Sequence, residues 1–440
     1  MKLLVLAPSR RSRGDAIIAA DLARALCRQT PPARSADGSP GTTLPRSRFS
    51  VAFAAAPEVL SQLHDLGMPT LPLTGATPAD NLAILDQIVA GFKPDCLVAA
   101  DAFELEHTTK WSGLAMGMLR ERYDRPVASL DRLGWQAVGY KADIYGGGEL
   151  AFPPLLDDCD VLIRPCPPHR PEPGPAGVAV APLCLSGLRD GGRRSSESPG
   201  PDHTSGKDAE TTLSPLGGRP PRTPDQPTVF LSNSAWEYRN RTRSLAVAEL
   251  IDALPRLIHS HLAALGRPLR VVHVGPREWR FPLADHIDYR HFSKLPYQMF
   301  HEKLAAADLF VTANVLSVTL AQAVLAGVPA LVLENHQTFG PAELPGWAGA
   351  TAPLLRTAHP FRVAPLGWHD FLEPLLAGNP YADCFATAGI LDRHAVLAAL
   401  TGLLDDEAGR SRLAEHQQDY RDALAGLPPV GEQLAAAVSR

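Results

Sequence analysis

The sequence predicts an α/β protein of two Rossmann-like parallel-sheet domains that face each other across a cleft, where the ligand sits. Three observations lead there. Continuous apolar runs such as Lys2-Leu-Leu-Val-Leu-Ala7 suit strands covered on both faces, which is how parallel sheets are buried. These runs alternate with helical patterns, the grammar of a doubly wound sheet. A Pro-, Gly-, Ser- and Arg-rich tract then divides the chain into two such alternations, and 440 residues exceed one core, since domains run about 100–200 residues.

Residues 1–166 form the first expected domain. After the first strand, Gly14 and Asp15 open a helix to Cys27, with Ile17, Ile18, Leu22 and Leu26 along one stripe. Strands follow at Phe49–Ala54, Thr70–Leu73, Asp95–Ala100, Arg125–Leu130 and Cys159–Ile163. The helices between them are expected at Pro57–Leu66, Asn81–Phe92 and Gly113–Tyr123, and residues 30–48 lengthen a loop. The tract 167–227 cannot bury enough apolar surface to offset its ordering entropy. It reads as a largely disordered linker in which only Ala179–Leu188 hints at order.

The second domain, 228–405, restarts with the strand Thr228–Ser232, a helix over Thr242–Leu265 and the strand Leu269–Val274. It continues with helices at Tyr297–Ala307, Thr319–Ala326 and Arg393–Leu404 and strands at Asp308–Thr312 and Pro329–Glu334. Residues 406–440 read as a C-terminal helix that packs back on the first domain.

A net charge of −5 gives no electrostatic reason for a nucleic-acid or anionic-membrane partner. The six cysteines are scattered without a CxxC, no HExxH occurs, and Asp158-Cys-Asp160 runs straight into a strand, so no metal is expected. Gly146–Gly148 does not follow a strand, which argues against a dinucleotide cofactor, and none is expected. The opening apolar run is shorter than a secretory signal, and no stretch approaches the roughly 18 apolar residues of a spanning helix, so a cytoplasmic location is expected. Oligomeric state is not legible.

The most specific stretch is Ala305–Gly340, in which a strand runs into a polar loop, a short helix, Gly327-Val328-Pro329 and another strand. This segment resembles the donor half of GT-B glycosyltransferases, a superfamily that includes the N-acetylglucosaminyltransferase of peptidoglycan synthesis and sugar-nucleotide epimerases. The resemblance implies a nucleotide-sugar held at the N-terminus of the short helix, where unpaired N–H groups and the helix dipole meet a pyrophosphate. It assigns Asn314, Ser317 and Thr319 to that loop and helix start. Gln322 stands where the family has a ribose-binding Glu, and Val315, Leu316 and Ser317 replace a Gly pair. His336 and Gln337 match donor-sugar positions, Ser232, Asn233 and Ser234 match a phosphate-facing loop, and Gly275 opens a base-binding loop. The likeness covers 228–340, and the first half only in layout; its closing helix, which crosses back to the first domain, would be Asp406–Leu427.

In the first half, ligands of open parallel sheets bind beyond the carboxyl ends of the strands. That makes Asp15 a general-base candidate, with a helix N-cap as its alternative role, and Arg10, Arg11 and Arg13 anion-binding candidates. Glu104 and His107, after the strand ending at Ala100, are candidate acid/base partners, and Asp131, Arg132 and Trp135 sit on the same rim. The expectation is metal-independent transfer of a sugar from a nucleotide-activated donor to an acceptor. Epimerisation or hydrolysis of a sugar nucleotide, and a noncatalytic scaffold of the same fold, remain open beside it.

Overall fold

The continuous apolar runs such as Lys2–Ala7 become inner strands because helices cover both of their faces. A computed structural model describes residues 1–10, 14–28, 49–132, 134, 140–143, 149–152, 159–182, 225–234, 238, 245–363 and 372–438. Residues 30–48 and 183–224 lie outside this set, as do Arg11, Arg13, Trp135, Gly146–Gly148 and Asp158.

The first half runs β1 (Lys2–Ala7), α1 (Gly14–Arg28), β2 (Ser50–Ala55), α2 (Pro57–Asp65), β3 (Thr70–Pro72), α3 (Pro78–Phe92), β4 (Cys96–Ala99), α4 (Ala102–Ser112), α5 (Met116–Tyr123) and β5 (Val127–Leu130). A two-stranded antiparallel ribbon, β6 (Tyr140–Asp143) and β7 (Glu149–Phe152), precedes β8 (Val161–Cys166) and β9 (Val178–Pro182). The strands other than the ribbon form one parallel sheet in the order β3-β2-β1-β4-β5-β8-β9. Along β1, Leu3 and Val5 pack with Ile18, Leu22 and Leu26 of α1, while Leu4 and Leu6 pack on the other face with Leu85 of α3 and Leu105 of α4. That two-sided burial is why the run does not alternate.

The second half repeats the plan with β10 (Thr228–Ser232), α6 (Leu245–Ala263), β11 (Leu269–Val274), β12 (Ile287–Phe292), α7 (Tyr297–Ala305), β13 (Leu309–Thr312), α8 (Val318–Leu325) and β14 (Ala330–Glu334). Short helices α9 (Gly346–Thr351) and α10 (Glu373–Leu376) lead to β15 (Ala386–Gly389), α11 (Arg393–Asp405), α12 (Glu407–Ala425) and α13 (Val430–Val438). Its sheet is also parallel, in the order β12-β11-β10-β13-β14-β15. Phe230 on β10 packs edge-on against Phe300 of α7, and Val229 and Leu231 face Leu250 and Leu257 of α6. In both sheets the strand order reverses beside the first strand, between β1 and β4 and between β10 and β13. Those reversals open a crevice at the carboxyl ends and fix where a ligand can enter.

The structure differs from the sequence reading at several places, four of which bear on the site and on how the two halves join. Residues 102–112, to which the sequence reading gave no element, form α4. Its buried positions are Ala102, Leu105, Thr108 and Ser112, and the two hydroxyls are satisfied within the helix, Thr108 Oγ donating to the Leu105 carbonyl (3.0 Å) and Ser112 Oγ to that of Thr108 (3.1 Å). A helical stripe half made of hydroxyls carries little hydrophobic signal. Second, the tract assigned to the linker from residue 167 contains β9, whose Ala179, Val180 and Ala181 are buried against β8. Third, β12 and β15 extend the second sheet beyond the expected strands.

Fourth, the segment that crosses back to the first half is α13, not Asp406–Leu427. Within α12, Gln417 donates to the carbonyls of Val328 (3.1 Å) and Cys384 (3.0 Å), which holds that helix on the second half. By contrast Val430 and Leu434 of α13 join the core under β1, and the Gln433 amide accepts from Val180 N and donates to Val180 O, both at 2.9 Å. Gln433 thus occupies backbone groups on the open edge of β9, as a further strand would.

Candidate functional site

At the reversal of the first sheet, a narrow recess opens between the end of β1 and the start of α4, lined by Ser9, Asp15, Val59, Ala100, Asp101 and Glu104. Asp101 caps α4, its Oδ1 accepting from Glu104 N (3.0 Å), and is 2% exposed. Its Oδ2 is buried with no hydrogen-bond partner among the described residues. Burial, and then the neighbouring charges of Asp15, Glu104 and Asp131, hold the Asp101 carboxyl well above the usual carboxylate range. Glu104 accepts from Ser9 Oγ (2.9 Å), and Asp15, 7% exposed, pairs with Arg132 Nη1 (3.7 Å). Behind them Asp131 pairs with Arg164 (3.5 Å). Three carboxyl groups therefore border one recess, the kind of setting in which perturbed acids and bases occur.

Glu104 and His107 lie one turn apart on α4. His107 is exposed along α4 and stacks on Phe103 (5.9 Å between centroids). Arg10 lies against Glu58 (3.6 Å) and over the Trp111 ring (3.8 Å).

At the second reversal, Ser232 ends β10 and Asn233 and Ser234 follow it, Gly275 follows β11, Asn314 and Ser317 follow β13, and His336 and Gln337 follow β14, so the parallel topology sets all of them on one rim. Asn314 shapes the loop: its Oδ1 accepts from Leu316 N (2.9 Å) and its carbonyl from Ser317 N (3.0 Å). Ser317 then caps α8 by accepting from Thr319 N (3.2 Å). Thr319 and Gln322 lie within α8 and are 9% and 5% exposed, so both are largely covered. His336 lies 3.4 Å from Glu334, and Gln337 is exposed. A Cβ on Gly275 would stand 3.0 Å from His273 Nε2 and 3.3 Å from Asn233, so that corner has no room for a side chain.

A hydrogen-bond chain that the sequence did not reveal orients Asn233. Trp279 N donates to Tyr289 Oη (3.1 Å), Tyr289 pairs with His273 Nδ1 (2.7 Å), and His273 Nε2 pairs with Asn233 Oδ1 (3.0 Å). Donor matching makes His273 neutral with its proton on Nε2, which commits the Asn233 oxygen and leaves its NH2 as the group it presents elsewhere. Tyr289→Phe is expected to cost about 1–3 kcal/mol by stranding Trp279 N and His273 Nδ1. Urea denaturation followed by Trp fluorescence checks this, since Trp279 stacks on Tyr289 at 4.9 Å, and an unchanged midpoint would dismiss the chain as a support of Asn233. Asn233, Tyr238, Leu254, Trp279, Asn314 and Val363 line a wider, mostly apolar recess beside this rim.

The two rims meet. Arg132, after β5, donates through Nη2 to the Leu316 carbonyl just before α8 while its Nη1 faces Asp15 at the start of α1. Gly14 closes the same junction, because a Cβ there would come within 3.3 Å of Val318. Among the described residues no group of three or more His, Cys, Asp or Glu side chains converges to hold a metal ion, and no helix is long and apolar enough to cross a membrane.

A family model described as a family of unknown function (DUF6365) matches residues 42–440. The chain belongs to DUF6365. No curated protein matches the sequence. Among solved structures, the chain resembles the spinosyn rhamnosyltransferase SpnG at 16% identity (TM-score 0.51) and the same enzyme complexed with thymidine diphosphate at 15% (TM-score 0.52), each covering 100% of both chains. It also resembles a protein from Listeria monocytogenes described as a UDP-N-acetylglucosamine 2-epimerase, at 13% identity and TM-score 0.54, over 100% of this chain and 95% of that one. This member of DUF6365 has the GT-B fold, two parallel-sheet α/β domains whose reversal points face each other.

Proposed function

We propose that the protein transfers a sugar from a nucleotide-activated donor on the second rim to an acceptor on the first, without a metal ion. The observation that carries this reading is the apposition of the two reversal points, close enough for the single side chain of Arg132 to touch both. The N-terminus of α8 offers N–H groups and the positive end of a helix dipole to a pyrophosphate, and Arg132 adds a fixed positive charge beside them. The recess walled by Trp279 and Leu254 gives apolar room for a base, with Asn233 and Asn314 as its polar contacts. On the facing rim, Asp15, Asp101 and Glu104 are the groups in reach of an acceptor proton. The likeness to SpnG, solved with thymidine diphosphate, agrees with this arrangement.

A second reading, epimerisation or hydrolysis of a sugar nucleotide, is favoured by one feature, the Asp101 carboxyl held protonated above the usual carboxylate range by burial among neighbouring carboxylates. Such an acid suits proton exchange on the sugar itself.

The test is a thermal-shift screen against nucleoside diphosphates and sugar nucleotides. A ligand at 100 times its dissociation constant is expected to add about 2.7 kcal/mol, a shift that Thr319→Ala and Gln322→Ala reduce relative to their own unliganded baselines. Product analysis with and without added acceptors then separates transfer from epimerisation. No shift with any nucleotide at millimolar concentration would overturn both readings and leave a scaffold.

A further inference from the structure

We infer that the recess between β1 and α4 is a subsite for a primary ammonium group, so that the acceptor is an amine-bearing molecule; this rests on the first rim being the acceptor side. The starting observation is Asp101 Oδ2, buried on the recess wall and without a hydrogen-bond partner among the described residues. Once ionised, a buried carboxyl oxygen in that position calls for a donor. The surroundings decide which donor. A hydroxyl would bring one proton and two lone pairs into a space bordered by carboxyl oxygens from Asp15, Asp101 and Glu104, so its lone pairs would face like partial charge. An ammonium group has three donors and no acceptor, which matches carboxyl groups arriving from α1 and α4 at once. It also supplies positive charge where Asp15 and Asp131 already draw on Arg132 and Arg164. Val59 and Ala100 on the same wall suit the carbon that bears the nitrogen.

Binding has a proton balance. The groups facing Asp101 are Asp15 from α1, Glu104 from α4 and Asp131 from the end of β5, with Arg132 behind Asp15, and they favour the protonated acid in the empty recess. Docking an ammonium group lets Asp101 ionise and releases that proton to solvent. Below the raised pKa of Asp101, amine affinity is therefore expected to weaken about tenfold for each pH unit lost.

The probe pair is cyclohexylamine against cyclohexanol, titrated into the full chain without nucleotide and read by melting temperature. The expected result is a saturable rise with the amine and none with the alcohol at equal concentration. D101N keeps an N-cap for α4, because Asn caps as well as Asp, and is expected to abolish the difference between the two probes. Equal shifts from amine and alcohol, or an undiminished preference in D101N, would overturn the assignment. If D101N does not fold, the wild-type pH series decides, and an amine affinity that stays flat on acidification counts against the subsite. Because nucleotide is absent, a failed nucleotide screen sinks the transfer reading without touching this result, and a failed amine titration does the reverse.

Discussion

Acidification from pH 6.5 to 4 is expected to lower the protein's stability by several kcal/mol. His169 is buried with Nε2 donating to the Asp131 carbonyl (2.7 Å), and burial followed by the charge of Arg164 pushes its pKa down to about 4. His273 is buried within the chain that orients Asn233, and burial followed by the charge of His291 pushes it to about 4 as well. Burial lowers His259 and His261 in the same direction. For a group whose folded pKa is depressed, the unfolded chain takes up a proton between pH 6.5 and 4 that the folded chain refuses. Stability is then complete above pH 6.5, declines across the window and levels off below it. Each of His169 and His273 accounts for about 3 kcal/mol, against a total of roughly 5–15 kcal/mol for a typical protein. Asp101 works the other way: its folded pKa is raised, so its penalty at neutral pH is relieved on acidification and offsets part of the loss. Urea midpoints at pH 7, 5.5 and 4.5 are the measurement, and His273→Asn is expected to make the slope shallower. A midpoint constant across the window would mean that neither histidine is held neutral.

Much of the fold was legible because its signal is local. The strand Thr228–Ser232 and the strand Leu269–Val274 could be read to the residue, since covered strands are continuous apolar runs bounded by polar turns. The second rim followed, because Asn233, Gly275, Asn314 and His336 each come within two residues of a strand's end and a parallel topology brings such positions together. What could not be read is what depends on distant segments meeting. The parallel topology sets Asp15, Asp131 and Arg132 on one rim, but the reach of Arg132 from Asp15 across to Leu316 depends on the two halves meeting, and nothing near it in the sequence marks that contact. His273 looks like a core residue of an apolar strand until Tyr289 and Asn233 are seen on either side of its ring. Helix α4 was hidden by Thr108 and Ser112 on its buried face, and β9 by the Pro- and Gly-rich sequence around only three buried residues.

Arg132→Ala is expected to have the larger effect on function of any single change at the junction. Removing the guanidinium strands Asp15, which is almost fully buried, and frees the Leu316 carbonyl that shapes the entry to α8. Breaking a fully buried ion pair costs about 3–5 kcal/mol; at 3.7 Å and with Arg132 part-exposed, about 2 kcal/mol is the expected loss of stability. If the transfer reading holds, turnover on the nucleotide sugar named by the screen is expected to fall by about 10²–10³, the usual cost of one preorganised charge beside a leaving group. Arg132→Lys separates these two roles, because an ammonium keeps the charge near Asp15 but lacks the fork that reaches Leu316 at the same time. Recovery of stability without turnover in the Lys variant would assign the fork to positioning α8 against the donor. Recovery of both would mean that charge alone is used, and full activity in the Ala variant would remove Arg132 from the site and with it the strongest reason for setting donor and acceptor on opposite sides of this junction.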